Sequence, residues 1–337
     1  MSNAAQHPRA FPAALPRNGV SYGATHCTGG RVRYGFIGLG NLGVHLAGSL
    51  LREGFDLTVH DLNQEAARSL IERGARWAQS PKDLATVVDA VITCLPSPSA
   101  SATVLTADDG VLNGLQAGGV WIEMSTTDQH EVQRIAALAA ARGIATLEAP
   151  VTGGVHKAAA GDITVLVGGD RPVYERHLPA LEAMGGSIFY MGELGQACVI
   201  KVITNMLAFI HLVAAGEALM LAKRAGLDLA QAFAAIKASS GTSFVHETES
   251  QLILNGSYNI GFTMDLACKD LGFASRYGRE LGVPLELGVL TEQIFNRARA
   301  QYGGGAWSTQ VVKLLEDELQ TDLRAPGFPA VLESADK

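Results

Sequence analysis

The segment Phe36-Ile37-Gly38-Leu39-Gly40-Asn41-Leu42-Gly43 constrains this chain more than any other. A buried-strand pattern, Arg33-Tyr34-Gly35-Phe36-Ile37, runs straight into G-x-G-x-x-G, and a helical stretch over residues 42–53 follows. Strand, glycine loop and helix in that order are the fingerprint of a dinucleotide-binding βαβ unit. Gly38 allows the tight turn. Gly40 removes a side chain so that a pyrophosphate can reach the backbone. Gly43 lets the helix pack close to the strand. The helix N-terminus then offers unpaired N–H groups and a partial positive charge to the phosphates. The residues expected to touch the dinucleotide here are Gly38, Leu39, Gly40, Asn41, Leu42 and Gly43. An acid follows at the expected distance: Asp61, at the end of a second strand, residues 56–60. Its carboxylate is placed to accept bonds from the adenosine ribose hydroxyls. Leu62 stands where a 2′-phosphate site wants an arginine, which predicts NAD, with NADP possible. Asp61 also precedes an Ala-rich helix and suits an N-cap, and both roles can coexist.

Strands alternate with helices through the rest of the first half. Further strands are predicted over residues 90–95, 120–124, 144–148, 163–167 and 187–191, and a helix over 63–73 that stops at Gly74. This spacing implies a mostly parallel sheet covered on both faces. After Gly195 the pattern changes. Residues 196–224 contain no proline and are dominated by Ala, Leu, Ile, Val and Met, which predicts a helix about 40 Å long. Further helical segments are broken at Gly226, Gly241, Gly256 and Gly282. With 337 residues, the chain exceeds the roughly 250–300 at which one core stops growing. The predicted fold class is an α/β Rossmann-type dinucleotide-binding domain over residues 31–192, then an all-α domain over 193–322, joined by the long helix. Residues 1–30 and 323–337 are expected to be irregular tails.

Several function classes are disfavoured. The formal charge is −7 and no basic cluster is dense enough to grip phosphate backbones, so no nucleic-acid partner is expected. Cys27, Cys94, Cys198 and Cys268 are far apart, with neither metal-ligand spacing nor a disulfide framework. No metal is expected, and a reducing compartment, the cytoplasm, fits. No uninterrupted apolar run reaches the roughly 18 residues a membrane helix needs. The nearest case, residues 206–221, is interrupted by His211, Gly216 and Glu217. Residues 1–30 contain no Asp or Glu and carry Arg9 and Arg17. A disordered tail and an organellar transit peptide both fit. The second would place the protein in the mitochondrial matrix, although Pro8, Pro12 and Pro16 weaken the amphipathic helix it needs.

The glycine-loop segment resembles the opening of the β-hydroxyacid dehydrogenase family, which includes 3-hydroxyisobutyrate dehydrogenases and 2-hydroxy-3-oxopropionate reductases. Leu42 replaces the family's usual methionine. Glu148-Ala149-Pro150-Val151-Thr152-Gly153-Gly154 resembles the family's substrate-binding D-A-P-V-S-G-G. Gly195 to Asn205 resembles its G-x5-K-x3-N segment, and the stretch from Phe262 to Leu271 its late K-D-L segment. Order and spacing match over residues 32–318.

The resemblance implies hydride transfer between NAD and a small 3-hydroxy acid or its semialdehyde. Lys201 falls on the family's catalytic lysine, the general acid or base, and Asn205 would orient it or the substrate. The two are four apart and share a helix face. On residue type alone Lys201 reads as a surface lysine, because burying it is costly. Partial burial beside a cationic nicotinamide would lower its pKa toward working pH. The Thr152-Gly153-Gly154 turn would hold the substrate carboxylate on backbone N–H groups. Ser125 would stand near the substrate, with Leu95, Pro96 and Thr126 beside the cofactor. Lys269 would reach the cofactor across the cleft, and reads otherwise as a solvated lysine beside Asp270. Phe244 suits the substrate pocket or the core equally. His156 and His246 have no assigned role. A homodimer or homotetramer is expected. The rivals are an imine reductase, which usually carries Asp or Tyr where Lys201 stands, and a non-catalytic dinucleotide-binding relative serving as an interaction module, whose mark would be loss of the lysine.

Overall fold

The computed structural model describes residues 32–332. The expectations for residues 1–30, and those for 333–337, fall outside the described residues. Among the described residues nine strands form one sheet: β1 Arg33–Ile37, β2 Asp56–His60, β3 Arg76–Trp77, β4 Ala90–Thr93, β5 Val120–Glu123, β6 Ala145–Glu148, β7 Val151–Thr152, β8 Ile163–Gly169 and β9 Gly185–Gly192. Their order is β3-β2-β1-β4-β5-β6-β8-β7, with β9 paired to β8. From β3 to β6 every pairing is parallel, and the central strands β1, β4 and β5 are buried almost throughout. Strand order reverses between β1 and β4, and a crevice opens beyond their carboxyl ends, where open α/β sheets take ligands.

Two departures from the predicted strand pattern matter for the site. β8 runs antiparallel to β6 and β7. The short β7 was read as part of a turn; its pairing with β8 fixes the chain immediately before Gly153. The predicted helix 63–73 is instead a 3₁₀ turn, Gln64–Ala67, followed by Arg68–Glu72. The Asn63 side chain accepts the Glu65 N–H at 3.2 Å and caps that tight first turn, so the cap is Asn63 and not Asp61.

After β9 the chain is helical. The long helix is Gln196–Arg224, and helices Leu229–Lys237, Phe244–Asn255, Met264–Leu281 and Glu286–Tyr302 pack against it. Averaged over a window, the long helix is apolar enough to cross a membrane by length and composition, with mean hydropathy 1.9. This corrects the reading from uninterrupted runs, because a window average tolerates His211, Gly216 and Glu217. Phe209, Leu212 and Leu219 on this helix meet Phe295, Leu271 and Ile253 in one apolar cluster.

Residues 321–332 form no helix or strand, yet they are not a loose tail. Leu323 is fully buried in the helical core. Its N–H donates to Glu316 at 2.8 Å, and Arg324 donates to Glu316 and to the Tyr258 hydroxyl at 2.9 and 2.8 Å. Tyr258 in turn donates to Glu316. Phe328 lies edge-on to Phe233, centroids 5.0 Å apart. The buried Glu316 carboxylate needs these donors from the chain end. Leu323→Ala should therefore destabilise the protein by about 2–5 kcal/mol in denaturant unfolding; a dispensable tail would give no change.

Candidate active site

The glycine loop follows β1 directly. Gly38 has φ +99°, and a Cβ there would stand 2.3 Å from the Cys94 carbonyl oxygen, so the residue after β4 leaves no room for a side chain. Gly43 opens the helix Gly43–Arg52, and a Cβ on it would lie 1.9 Å from the Gly38 carbonyl oxygen. At Gly40 an added Cβ meets nothing within 4 Å, because that backbone faces the open cavity. Among the described residues, the N–H groups of Gly40, Asn41 and Leu42 have no protein acceptor. A bare cradle with free N–H donors at a helix N-terminus fits a pyrophosphate. Asp61 supports this loop from the side: Oδ2 accepts the Leu39 N–H at 2.7 Å and Oδ1 the Asn63 N–H at 2.8 Å. Gly38, Leu39 and Asp61 shape the loop and do not line the cavity, whereas Gly40, Asn41, Leu42 and Gly43 do. Leu62 is fully exposed.

The cavity has a volume of about 340 Å³ and lies between the strand ends and the helical half. Leu95, Pro96, Ser125 and Thr126 enter from the ends of β4 and β5. The Ser125 hydroxyl oxygen accepts the Leu95 N–H at 2.8 Å, and the Ser125 N–H donates to Glu123 at 2.8 Å. It thus ties the two strand ends together. Thr152, Gly153 and Gly154 line the opposite wall. Gly153 and Gly154 have φ +127° and +87°, and among the described residues their N–H groups have no protein acceptor. Consecutive free N–H groups of this kind form a concavity suited to an anion.

Lys201, Asn205, Asp270 and Lys269 meet at the base of the cavity. Lys201 is only 6% exposed, and its ammonium donates to Asn205 Oδ1 at 2.7 Å. The Asn205 amide donates to Asp270 Oδ2 at 2.6 Å. Lys269 pairs with Asp270 Oδ1 at 3.0 Å and donates to the Thr126 carbonyl at 2.6 Å. Lys269 is thus a tethered residue and not a solvated one. Burial lowers the Lys201 pKa to about 8, with Asp270 pulling it up and Lys269 pushing it down. A lysine poised there can give or take a proton near neutral pH.

Asp270 was noticed in the sequence only as the neighbour of Lys269. A signal for it existed. The buried face of the Met264–Leu281 helix carries Met264, Ala267, Leu271 and Ala274, and Asp270 is the one carboxylate on that stripe. Glu148 was likewise read only as part of a motif. It is fully buried, and Oε1 accepts the N–H groups of Gly195 and Ala197 at 2.8 and 2.7 Å. Phe244 is 51% exposed and lines the cavity, so it is no core residue. His156 also lines the cavity and stacks on Phe244 with centroids 6.2 Å apart. Burial, with a smaller push from Lys157, lowers the His156 pKa. His246 is buried away from the cavity, bonded to the Phe233 carbonyl and to Ser250 at 3.1 and 3.2 Å.

Residues 33–192 match a family model described as the NAD binding domain of 6-phosphogluconate dehydrogenase. Residues 195–315 match one described as NAD-binding of NADP-dependent 3-hydroxyisobutyrate dehydrogenase. The 2-(hydroxymethyl)glutarate dehydrogenase of Eubacterium barkeri is 34% identical over 286 residues, which cover 85% of this chain and 95% of that relative. The crystal structure of a 3-hydroxyisobutyrate dehydrogenase from Salmonella typhimurium aligns with a TM-score of 0.79 at 32% identity, covering 84% of this chain and 99% of that one. An imine reductase from Streptomyces aurantiacus, with a TM-score of 0.54 at 22% identity over 84% of this chain and 99% of its own, shares the fold alone.

The two loop glycines should behave differently on substitution. Gly43→Ala should destabilise the protein without any ligand, by about 1–3 kcal/mol. Gly40→Ala should leave the melting temperature of the free protein nearly unchanged and weaken NAD binding roughly tenfold or more, about 1.4 kcal/mol. Thermal melts with and without NAD separate the two; equal effects on both readouts would contradict the assignment.

Proposed function

Because this chain belongs to the β-hydroxyacid dehydrogenase family, we propose that it interconverts a small 3-hydroxy acid and its semialdehyde with NAD(P), and that Lys201 is the proton donor and acceptor. The observation that carries this reading is the buried Lys201 ammonium, held by Asn205 at 2.7 Å in the same cavity as the unpaired N–H groups of Gly153 and Gly154. A substrate carboxylate placed on the Thr152-Gly153-Gly154 turn leaves its carbinol to Lys201. Bound NAD(P) supplies the hydride acceptor in oxidation and the donor in reduction. The cofactor would be held by Gly40, Asn41, Leu42 and Gly43 at the phosphates, and by Leu95, Pro96, Thr126 and Lys269 along the crevice. Gly38, Leu39 and Asp61 would hold the loop in shape, with part of the Asp61 carboxylate available to a ribose.

In oxidation neutral Lys201 removes the hydroxyl proton as hydride leaves the adjacent carbon. In reduction the ammonium returns that proton to the forming alkoxide. Asn205 keeps the ammonium aimed and relays the charge of Asp270. Ser125 offers its O–H to the substrate, and Phe244 covers the chamber. Leu62 in place of an arginine supports NAD over NADP. An imine reductase is less well supported, since Lys201 stands where those enzymes usually carry Asp or Tyr. Retention of Lys201 likewise argues against a non-catalytic interaction module.

Two coarser properties belong with this reading. Ile203 and Leu207 on the long helix and Leu287 and Leu290 on the helix Glu286–Tyr302 are exposed apolar side chains. The two helices meet at Met206 and Gly288, and such a surface suits a homodimer or homotetramer. Cys94, Cys198 and Cys268 are free thiols, which fits work in the reducing cytoplasm.

Lys201→Ala should abolish turnover, with NAD binding nearly intact by fluorescence titration; retained turnover would sink the mechanism. In the unmodified enzyme, kcat/KM for oxidation should rise with pH through about 8, because the base is neutral lysine. For reduction it should fall over the same range, because the acid is the ammonium. Asp270→Asn removes the charge that favours the ammonium, so the oxidation midpoint should move to lower pH. A midpoint that stays put would remove Asp270 from the proton path.

A further inference from the structure

Among the described residues, Glu123, Glu148, Asp270 and Glu249 are buried or half-buried acids near the crevice, and the first three are already engaged by the protein. Glu123 accepts the Ser125 N–H, Glu148 accepts those of Gly195 and Ala197, and Asp270 is bonded to Asn205 and paired with Lys269. Glu249 is the fourth. It stands on the helix Phe244–Asn255 and lines the same cavity as Lys201. Phe244, Val245, Thr248 and Glu249 line the cavity at positions i, i+1, i+4 and i+5, so one helix face forms this wall. Among the described residues no hydrogen bond or charge acts on the Glu249 carboxyl, and burial alone pushes its pKa up to about 8. Near neutral pH it is largely a neutral acid facing the chamber.

A carboxyl kept in a largely apolar wall without a protein partner costs stability, and that cost is relieved when a ligand supplies the missing partner. Among the other polar groups of the chamber, His156 stacks on Phe244. The Thr152–Gly154 turn suits a carboxylate and Lys201 the reacting oxygen, so the rest of the substrate's carbon chain is what remains for Glu249.

Resting on the reading of Lys201 given above, we propose that Glu249 is the specificity-determining residue of this site and receives an O–H or N–H donor on the substrate's carbon chain. The preferred substrate is then a hydroxy acid bearing a further hydroxyl or amino group. A plain alkyl branch would leave the carboxyl unpaired. A hydroxyl pairs with the neutral acid, whereas an ammonium would draw the proton off and form an ion pair.

The test compares kcat/KM with NAD for L-threonate and D-glycerate, which carry a further hydroxyl, L-serine, which carries an ammonium, and 3-hydroxyisobutyrate, which carries a methyl. The unmodified enzyme should favour a donor-bearing acid over 3-hydroxyisobutyrate. Glu249→Leu should lower that ratio roughly tenfold or more, chiefly through KM. Glu249→Gln keeps the shape and the neutral amide, so it should retain the hydroxyl-bearing acids and lose L-serine. It also serves if the leucine variant fails to fold. An unmodified enzyme that prefers 3-hydroxyisobutyrate, or an unchanged ratio in both variants, would overturn the proposal. If the unmodified enzyme turns over none of these acids, the dehydrogenase reading fails instead. Dissociation constants of the same acids for the enzyme–NADH complex, read by NADH fluorescence, then decide the role of Glu249 by the same ratio.

Discussion

One buried carboxylate joins the two halves of this protein. Glu148 ends β6, on the sheet, and its Oε1 receives the N–H groups of Gly195 and Ala197 at the start of the long helix. That helix begins at Gly195 with φ +107°, a residue with no side chain to offer as a cap. Glu148 does the capping from 47 residues upstream. A carboxylate at a helix N-terminus also meets the positive end of the helix dipole. The fit is close, since a Cβ on Gly168 would lie 2.4 Å from the same oxygen. Lys201 stands under two turns along the helix, so its height above the sheet follows from this contact.

The second constraint is a chain of polar contacts running from Lys201 through Asn205, Asp270 and Lys269 to the Thr126 carbonyl. It links the long helix, the helix Met264–Leu281 and the loop after β5. Burying so many charged groups is costly, and removing one partner would strand another. The arrangement persists because the chain is closed at both ends by protein atoms. Burial draws the lysine at its end from the usual strongly basic range to about 8, against the pull of Asp270. The same helix holds the loop after β5 elsewhere too: Tyr277 accepts the Gln129 N–H at 3.0 Å, and Arg276 pairs with Asp128 at 2.7 Å. The cavity is therefore framed on rigid elements, which suits a site that must place a hydride and a proton on the two ends of one bond.

Much of this was legible in the chain. The strand before the glycine loop, the long helix over residues 196–224 and the shared face of Lys201 and Asn205 all follow from local patterns, because helix and strand periods act over a few residues. Residues whose partners are distant were read less well. That Asp61 also braces the loop and the turn through the Leu39 and Asn63 N–H groups has no local signature. The same holds for the bond that Ser125 accepts from the Leu95 N–H. Residues 323–328 looked like a tail, because nothing local reveals that Glu316 and Tyr258 await Arg324. Glu249 carries no sequence signature, since the cavity it faces is formed by distant segments.

By itself the sequence determined that a dinucleotide-loop motif, a Thr-Gly-Gly turn and a lysine occur in this order on a sheet followed by helices. Those are properties of short segments, set by glycine conformations, hydrophobic period and helix spacing. Tertiary structure alone decided that the lysine is buried and its pKa thereby lowered, with Asp270 and Lys269 pulling in opposite directions, that Asp61 braces the loop, and that Glu249 faces the cavity without a partner. Burial and electrostatic coupling depend on which distant segments meet, and the local order of residues does not specify that.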